Sequence, residues 1–496
     1  MLFNSLSFLV FFPIVLLVYF FIPKKIRYIW LLVTSYYFYM GWNAKYALLM
    51  LFSTAVTYFA SLLLYKWRDN SKRKKVVVGV GLAANLGILF LFKYLDFAID
   101  TLQKVCAKVG VTIAEPSFSL LLPVGISFYI FQAVGYMIDI YREELKPERN
   151  FLRYALFVSF FPQLVAGPIE RSDKLLPQLR NVENIKVWNL DRIRDGALIM
   201  LYGYVLKMII ADRAALLVDT VFDVNHYAQY VGITAWVGAI LFAVQIYCDF
   251  AGYTYIAIGA AKVMGFELMN NFNTPYFAVS IKDFWDRWHI SLSTWFRDYL
   301  YFPLGGSRKG VVRKYINILI VFSVSGLWHG ASWHYVVWGM LHGIMRVIGE
   351  ATQKLRAKAV NLLQIKTDVL SYKMFQMLIT FVLVTLAWVF FRAASVGQAL
   401  DIIQNMFTVW NPWVLFDGML LGIGLDGKDW NVLLVAILIL FVVECFKYNK
   451  ISLVDLFAKQ NLLFQWIFFY VGILAVVVFG VYGPAYDAAQ FIYFQF

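Results

Sequence analysis

An all-α polytopic membrane protein is the fold class this sequence predicts. Three observations carry the expectation: 61% of the 496 residues are hydrophobic and only 15% charged, the apolar residues gather into long runs, and the cations collect between the runs. Soluble globules carry roughly 25% charge. A hydrocarbon core about 30 Å thick takes roughly 20 apolar residues per helix, and runs of that kind occur at 5–22, 26–41, 46–65, 76–95, 119–140, 197–221, 232–262, 374–391, 429–446 and 462–482. Two shorter runs, 315–328 and 333–346, flank a histidine. With one re-entrant segment, the expected total is about 11–13 transmembrane or re-entrant helices. The first run lacks a basic leader region and a small-residue cleavage site, so it is expected to be a retained helix. No soluble domain is expected before or after the helices. A single membrane domain over 1–496 is the economical organisation, with N-terminal helices in 1–150, a core carrying the re-entrant segments and the histidine in 151–350, and C-terminal helices in 351–496.

A net charge of +14 would suit nucleic acid, but these cations occupy short loops between spans, as the positive-inside rule requires. Lys24, Lys25 and Arg27, then Lys66, Arg68, Lys72, Arg73, Lys74 and Lys75, mark the first two cytoplasmic loops. The amino terminus is therefore expected outside. Arg171, Lys174, Arg180, Lys186, Arg192 and Arg194 mark another cytoplasmic stretch, which requires residues 151–168 to enter the membrane and return. The breaks at Phe161-Pro162 and Gly167-Pro168 suit such a re-entrant segment. Basic residues at 297–314, 346–358 and 447–459 continue the pattern and place the carboxyl terminus outside.

Cys106, Cys248 and Cys445 lie far apart and form neither a disulfide framework nor a zinc cluster. Gly79-Val80-Gly81-Leu82-Ala83-Ala84 fits a dinucleotide-binding fingerprint but lies within a candidate span, where small residues serve helix packing. His329 and His334 are five residues apart, a poor helical zinc pair, and no His-Glu-x-x-His occurs. No metal is expected.

The segment from Phe284 to Tyr299 carries Trp285, Trp288, Leu292, Trp295 and Tyr299 at helical spacing, with Asp286, Ser293 and Arg297 on another face. One amphipathic helix is expected, lying in the cytoplasmic interface with its indoles at headgroup depth. Its polar face either lines a cavity or serves only to keep an anchoring helix soluble. His289 lies at the edge of the stripe, where a structural and a functional role are equally good readings. The following Tyr301-Phe302-Pro303-Leu304-Gly305-Gly306-Ser307-Arg308-Lys309-Gly310 is a turn-forming loop at the boundary. Arg308 and Lys309 either hold the phosphates of an incoming donor or express positive-inside charge.

His329, in Ser325-Gly326-Leu327-Trp328-His329-Gly330, sits between runs of about 14 residues, or roughly 20 Å as helices. Either a hairpin with its apex in the membrane or two longer, tilted helices would hold it well below the cytoplasmic surface. Intramembrane titratable groups usually face a cavity or pathway, and burial favours a neutral imidazole able to act as a base. A hydrogen-bonded core histidine is the bland alternative. His334 and His342 read as packing or supporting residues, and His226 as solvated in an outward loop. Asp249, another acid in an apolar region, orients the histidine, lines a tunnel or sits in an internal ion pair.

In order and wording, these features resemble the membrane-bound O-acyltransferase (MBOAT) family, most closely its bacterial alginate and peptidoglycan O-acetylase-like branch. The resemblance runs from Leu2-Phe3-Asn4-Ser5-Leu6-Ser7-Phe8 through Phe161-Pro162-Gln163-Leu164-Val165-Ala166-Gly167-Pro168-Ile169, residues 283–306 and Leu327-Trp328-His329-Gly330 to the terminal Phe491-Ile492-Tyr493-Phe494-Gln495-Phe496. It implies a ring of helices around a central tunnel and acyl transfer within the membrane. His329 matches the signature histidine and His289 its upstream polar partner, while Trp288, Ser293, Arg297, Trp328 and Asp249 become candidates for the tunnel lining. It further implies acetyl-CoA as donor, a location in the bacterial cytoplasmic membrane, and an extracytoplasmic SGNH-type acetyltransferase partner that decorates a polysaccharide with the acetyl group. Peptidoglycan, alginate, cellulose and other exported glycans all fit as the indirect acceptor.

The chemistry expected is general-base catalysis by neutral His329, which accepts the proton of an attacking hydroxyl. Tyr493, predicted outside and set between aromatics, is either an interfacial anchor or an acyl relay whose hydroxyl takes the acetyl as an aryl ester. D-alanyl transfer to teichoic acid from a carrier protein is the alternative within the enzyme class. A polysaccharide export channel or transporter is the alternative outside it, although no paired broken helices in two related halves are present. A scaffold that recruits an outside enzyme would not depend on His329.

Overall fold

In the computed structural model, residues 1–112, 122–164 and 167–482 are described. Seven of their helices are long and apolar enough to cross a membrane: Tyr46–Lys66, Ser71–Ala107, Ile233–Met264, Val311–His329, Leu370–Arg392, Gly427–Tyr448 and Leu462–Phe479. Leu6–Phe21 and Ile126–Tyr141 are apolar but shorter. Among the described residues there is no strand, and the chain is an all-α, multi-pass membrane protein. Its contacts gather the described residues into two units, one of Met1–Gly196 with Ala257–Met269 and one of Ala197–Ile256 with Asn270–Phe496.

In the first unit, helix starts follow the side chains that cap them. Ser5 Oγ accepts from the Phe8 amide at 3.2 Å, Asn70 Oδ1 from Arg73 at 3.1 Å and Asn150 Oδ1 from Arg153 at 3.1 Å, each satisfying an amide that the helix leaves open. Polar groups join the apolar helices: the Thr57 and Tyr154 hydroxyls lie 2.7 Å apart, both buried. The fingerprint-like glycines sit inside the Ser71–Leu89 helix. A Cβ on Gly81 would stand 2.4 Å from Met137 Sδ, so helix contact, not a phosphate, explains this glycine. Phe151–Ser159 is a buried helix of nine residues, about 13 Å long and too short to span. It bends at Phe160 (φ −53°, ψ 110°) into the short Phe161–Leu164.

The second unit departs from the sequence reading at 197–221 and at 284–299. The run 197–221 is not one helix: Leu190–Tyr204 passes through a π-turn, Val205–Ala211, into Asp212–Val221. Lys207 lies in that turn, 2.8 Å from Asp212 and 2.6 Å from Asp249, all three buried. The two runs beside His329 lie within longer helices, one of the two expected forms: Val311–His329 and Trp333–Ala351 have 19 residues each. Their polar ends remain helical because Glu350 pairs with both Lys314 and Arg346. Finally, the segment 284–299 is broken into Ile281–Arg287, Ile290–Phe296 and a π-turn Arg297–Tyr301. Its indoles do not form an exposed stripe for lipid either, since Trp285, Trp288 and Trp295 are buried within the protein.

Candidate active site

Glycine contacts build the hairpin that carries His329. A Cβ on Gly339 would lie 2.2 Å from Phe322 O, and one on Gly326 2.2 Å from Tyr335 O, so the Val311–His329 and Trp333–Ala351 backbones touch where side chains would hold them apart. Gly330 ends the first helix in extended conformation, with a Cβ there 2.1 Å from the Tyr335 ring. His329 is thus the last helical residue before the turn. It lies 15 residues beyond Lys314, about 22 Å along the axis at 1.5 Å per residue.

Backbone strain places His289. Its φ of 44° and ψ of 53° are left-handed, a region that non-glycine residues enter only when their surroundings hold them there. The strand-like stretch from Asn271 to Thr274 does so from both sides. Asn271 O accepts from the Ile290 amide at 3.0 Å and Asn271 Oδ1 from Ser291 Oγ at 2.6 Å. On the other side the Asn273 amide donates to Arg287 O at 3.0 Å, and Arg287 is fixed to Asp283 at 2.8 Å and to Thr274 Oγ1 at 3.0 Å. The result breaks the expected helix and turns His289 inward.

The two imidazoles stand 6.2 Å apart, ring centre to ring centre, with Trp328 5.9 Å from His289 and 5.0 Å from His329. That separation is too wide for a hydrogen bond between the rings, yet one substrate oxygen between them would be within reach of both. Phe250 stands edge-on to His289 at 4.7 Å, and Trp338 and Phe391 edge-on to His329 at 5.1 Å and 5.5 Å. Such walls exclude water and lower the local dielectric, which strengthens every polar interaction with a substrate. His289 lies between the apolar spans, and burial pushes its imidazole down to about 3. It is neutral near pH 7 and able to orient or polarise a bound group.

The other expected residues scatter. Trp288 packs in an aromatic cluster with Phe272, Phe284 and Trp388. Ser293 Oγ donates to Trp288 O at 3.3 Å. Arg297 is exposed and paired with Asp298, and Arg308 and Lys309 are exposed in the loop. Asp249 takes the ion-pair option, with Lys207. His334 Nδ1 donates to Phe390 O at 3.0 Å, and His342 Nδ1 accepts from Trp285 Nε1 at 3.2 Å. His226 is exposed beside Asp223. Tyr493 and the terminal aromatic motif lie outside the described residues. Among the described residues no three His, Cys, Asp or Glu side chains converge as metal ligands. Trp338, Phe391 and Phe250 were not singled out from sequence, because an aromatic in an apolar run looks the same whether it packs a core or walls a site. Lys207 did carry a signal, a cation inside an apolar run.

With this geometry in place, comparison with known proteins is decisive. The pattern of the membrane-bound O-acyltransferase family matches residues 141–396. The chain belongs to that family. It is an acyltransferase, and His289 and His329 both fall inside the matched region. It is similar to the probable alginate O-acetylase AlgI of Pseudomonas putida, 37% identical over 418 residues, covering 84% of this chain and 82% of the relative. It is also similar to the peptidoglycan O-acetyltransferase of Helicobacter pylori, 35% identical over 76% of this chain and 73% of that protein. The teichoic acid D-alanyltransferase of Bacillus subtilis is 30% identical over 47% of this chain and 60% of its own length. The two O-acetylases thus cover far more of this MBOAT chain than the D-alanyltransferase does.

Proposed function

We propose that this MBOAT protein takes acetyl from acetyl-CoA on the cytoplasmic side and passes it across the bacterial cytoplasmic membrane, where an extracytoplasmic SGNH-type partner O-acetylates an exported or cell-wall polysaccharide. The observation that carries the reading is the pair of imidazoles, His329 deep on its hairpin and His289 held against strain beside it. The names of the two relatives that cover most of the chain support acetyl as the group and a polysaccharide as the acceptor.

His329 acts as the general base. An acceptor hydroxyl gives its proton to the His329 imidazole as its oxygen attacks the thioester carbonyl. The C–S bond then breaks and the departing thiolate takes the proton back from imidazolium. Such help is worth about 100-fold to 10,000-fold, so orientation and polarisation by neutral His289 and the aromatic walls supply much of the remainder. Arg308 and Lys309 attract the donor's phosphates. Tyr493 is the acceptor hydroxyl: its acetyl ester, with a leaving group of pKa about 10, hands the acetyl on to the partner. D-alanyl transfer is the second reading, favoured by the Bacillus subtilis relative over about half of the chain.

Purified protein in nanodiscs with radiolabelled acetyl-CoA tests this directly. Wild type should release CoA and carry label, His329→Ala should lose CoA release by at least about 100-fold, and Tyr493→Phe should carry no label. CoA release without protein label would remove the relay and keep the enzyme. Folded wild type that releases no CoA, even with a candidate partner and glycan present, would overturn the acetyl-CoA reading and favour a carrier-protein donor.

A further inference from the structure

The first unit holds a buried and a half-buried guanidinium with no carboxylate paired to either among the described residues. Arg27, the first residue of the Arg27–Met40 helix, is 4% exposed, and Arg192 lies in the Leu190–Tyr204 helix. Among the described residues both guanidiniums donate to backbone carbonyls and not to carboxylates: Arg27 Nη1 to Ile185 O at 3.1 Å, Arg192 Nη2 to Val187 O at 3.1 Å and to Val263 O at 3.4 Å. The Nε atoms of both residues are buried with no partner, and so is the hydroxyl of Tyr19, a fully buried residue whose ring lies 5.5 Å below the Arg27 guanidinium carbon. Both guanidinium charges act on that hydroxyl. Gly265, at φ +98°, lets the backbone approach, since a Cβ there would stand 3.0 Å from Arg192 Nη1. Buried charge is costly unless it is paired. Two guanidiniums and a phenol with unused donors, and no acid among them, therefore form a site for an oxyanion.

The surroundings identify the source of the anion. Phe21, Trp188 and Leu190 are largely exposed, and the Trp188 indole packs on Phe20 at 4.9 Å and on Phe21 at 5.6 Å, an apolar rim with a tryptophan of the kind found at membrane interfaces. Lys24, Lys25 and Lys186 are exposed around it. We propose that Tyr19, Arg27 and Arg192 bind the phosphate of an anionic phospholipid headgroup, whose acyl chains lie along the apolar rim.

The test is native mass spectrometry of the full-length protein, delipidated in detergent and titrated with phosphatidylglycerol or phosphatidylcholine. Phosphatidylglycerol should bind saturably and more tightly than phosphatidylcholine. Arg27→Gln and Arg192→Gln should each weaken it about fivefold, while Lys24→Gln with Lys25→Gln should change it less. Should Arg27→Gln fail to fold, Tyr19→Phe combined with Arg192→Gln, which leaves the buried volume nearly intact, decides the matter by the same loss. Unchanged phosphatidylglycerol binding in the folded variants overturns the proposal. A second arm offers CoA and inorganic phosphate without lipid: binding of either through Arg27 and Arg192, with no selectivity for phosphatidylglycerol, would assign the site to a free phosphate and overturn the lipid reading. Neither arm measures acyl transfer, so the outcome is independent of the proposed reaction.

Discussion

At the scale of single residues, His289 is both a strained backbone position and a candidate functional group, and the two roles separate experimentally. Asparagine tolerates left-handed φ and ψ better than most residues but has no imidazole. His289→Asn should therefore keep the elution profile and melting temperature of the wild type while lowering acyl transfer at least about 10-fold. Near-full transfer in that variant would reduce His289 to a structural corner. Glu170 offers a different test because it is a carboxyl stored in the wrong environment. It is 2% exposed, its Oε1 accepts from the Met269 amide at 2.6 Å, and burial pushes it up to about 8, with Asp173 adding to the rise and the Met269 amide opposing it. A folded-state value above the ordinary 4.5 means that the native chain holds this proton where the unfolded chain releases it. The stability that Glu170 contributes is full below its ordinary value and is lost as pH rises through about 8. Melting temperatures measured in detergent from about pH 5 to about pH 9 should fall for wild type, and Glu170→Gln should flatten part of that fall. Equal slopes would place the pH sensitivity elsewhere.

At the scale of elements, the glycine-lined hairpin fixes the position of His329, the proposed base. A Cβ on Gly339 meets the Phe322 carbonyl oxygen and, at 3.1 Å, Gly326 Cα, backbone atoms that cannot rotate away. Gly349, on the same helix, has nothing within 4 Å of such a Cβ. Gly339→Ala should cost about 1–3 kcal/mol of stability and slow acyl transfer by shifting His329, whereas Gly349→Ala should be neutral or slightly stabilising, alanine being the better helix former. Melting temperature and CoA release measured on both variants check this, and equal behaviour would deny the hairpin its positioning role. This pairing also explains what the sequence could and could not disclose. His329 and His289 were legible as titratable groups beside apolar runs. Nothing local announced the left-handed bend at His289, because its cause is Asn271 and Asn273 some twenty residues earlier, and no glycine or proline marks it. The charged residues Arg313, Lys314, Arg346 and Glu350 left the helix length open, because Glu350 offsets Lys314 only once the two helices lie side by side.

At the scale of the molecule, most long apolar runs became helices because an apolar chain in hydrocarbon must satisfy its backbone internally. Exceptions such as the π-turn at 205–211 and the short helices of 151–164 occur where buried polar groups or backbone breaks compete with that rule. Charge predicts how the set is oriented. Lys447, Lys450 and Lys459 lie between or beside the last two long helices, Gly427–Tyr448 and Leu462–Phe479, and the positive-inside rule predicts a cytoplasmic connection there. Leu462–Phe479 has 18 residues and a mean hydropathy of 2.5, about 27 Å of helix, enough for one crossing with little tilt. If that connection is cytoplasmic, one crossing would carry the chain after Phe479 to the outer face, as the proposed relay from Tyr493 to an extracytoplasmic partner requires. Alkaline phosphatase fused after Phe496 should accordingly be active and a fluorescent protein at the same position dark, while fusions placed after Lys450 should show the reverse. The opposite result at Phe496 would leave Tyr493 on the donor side of the membrane, where it could still accept acetyl but could not present it outside, and the relay across the membrane would have to be carried by another hydroxyl.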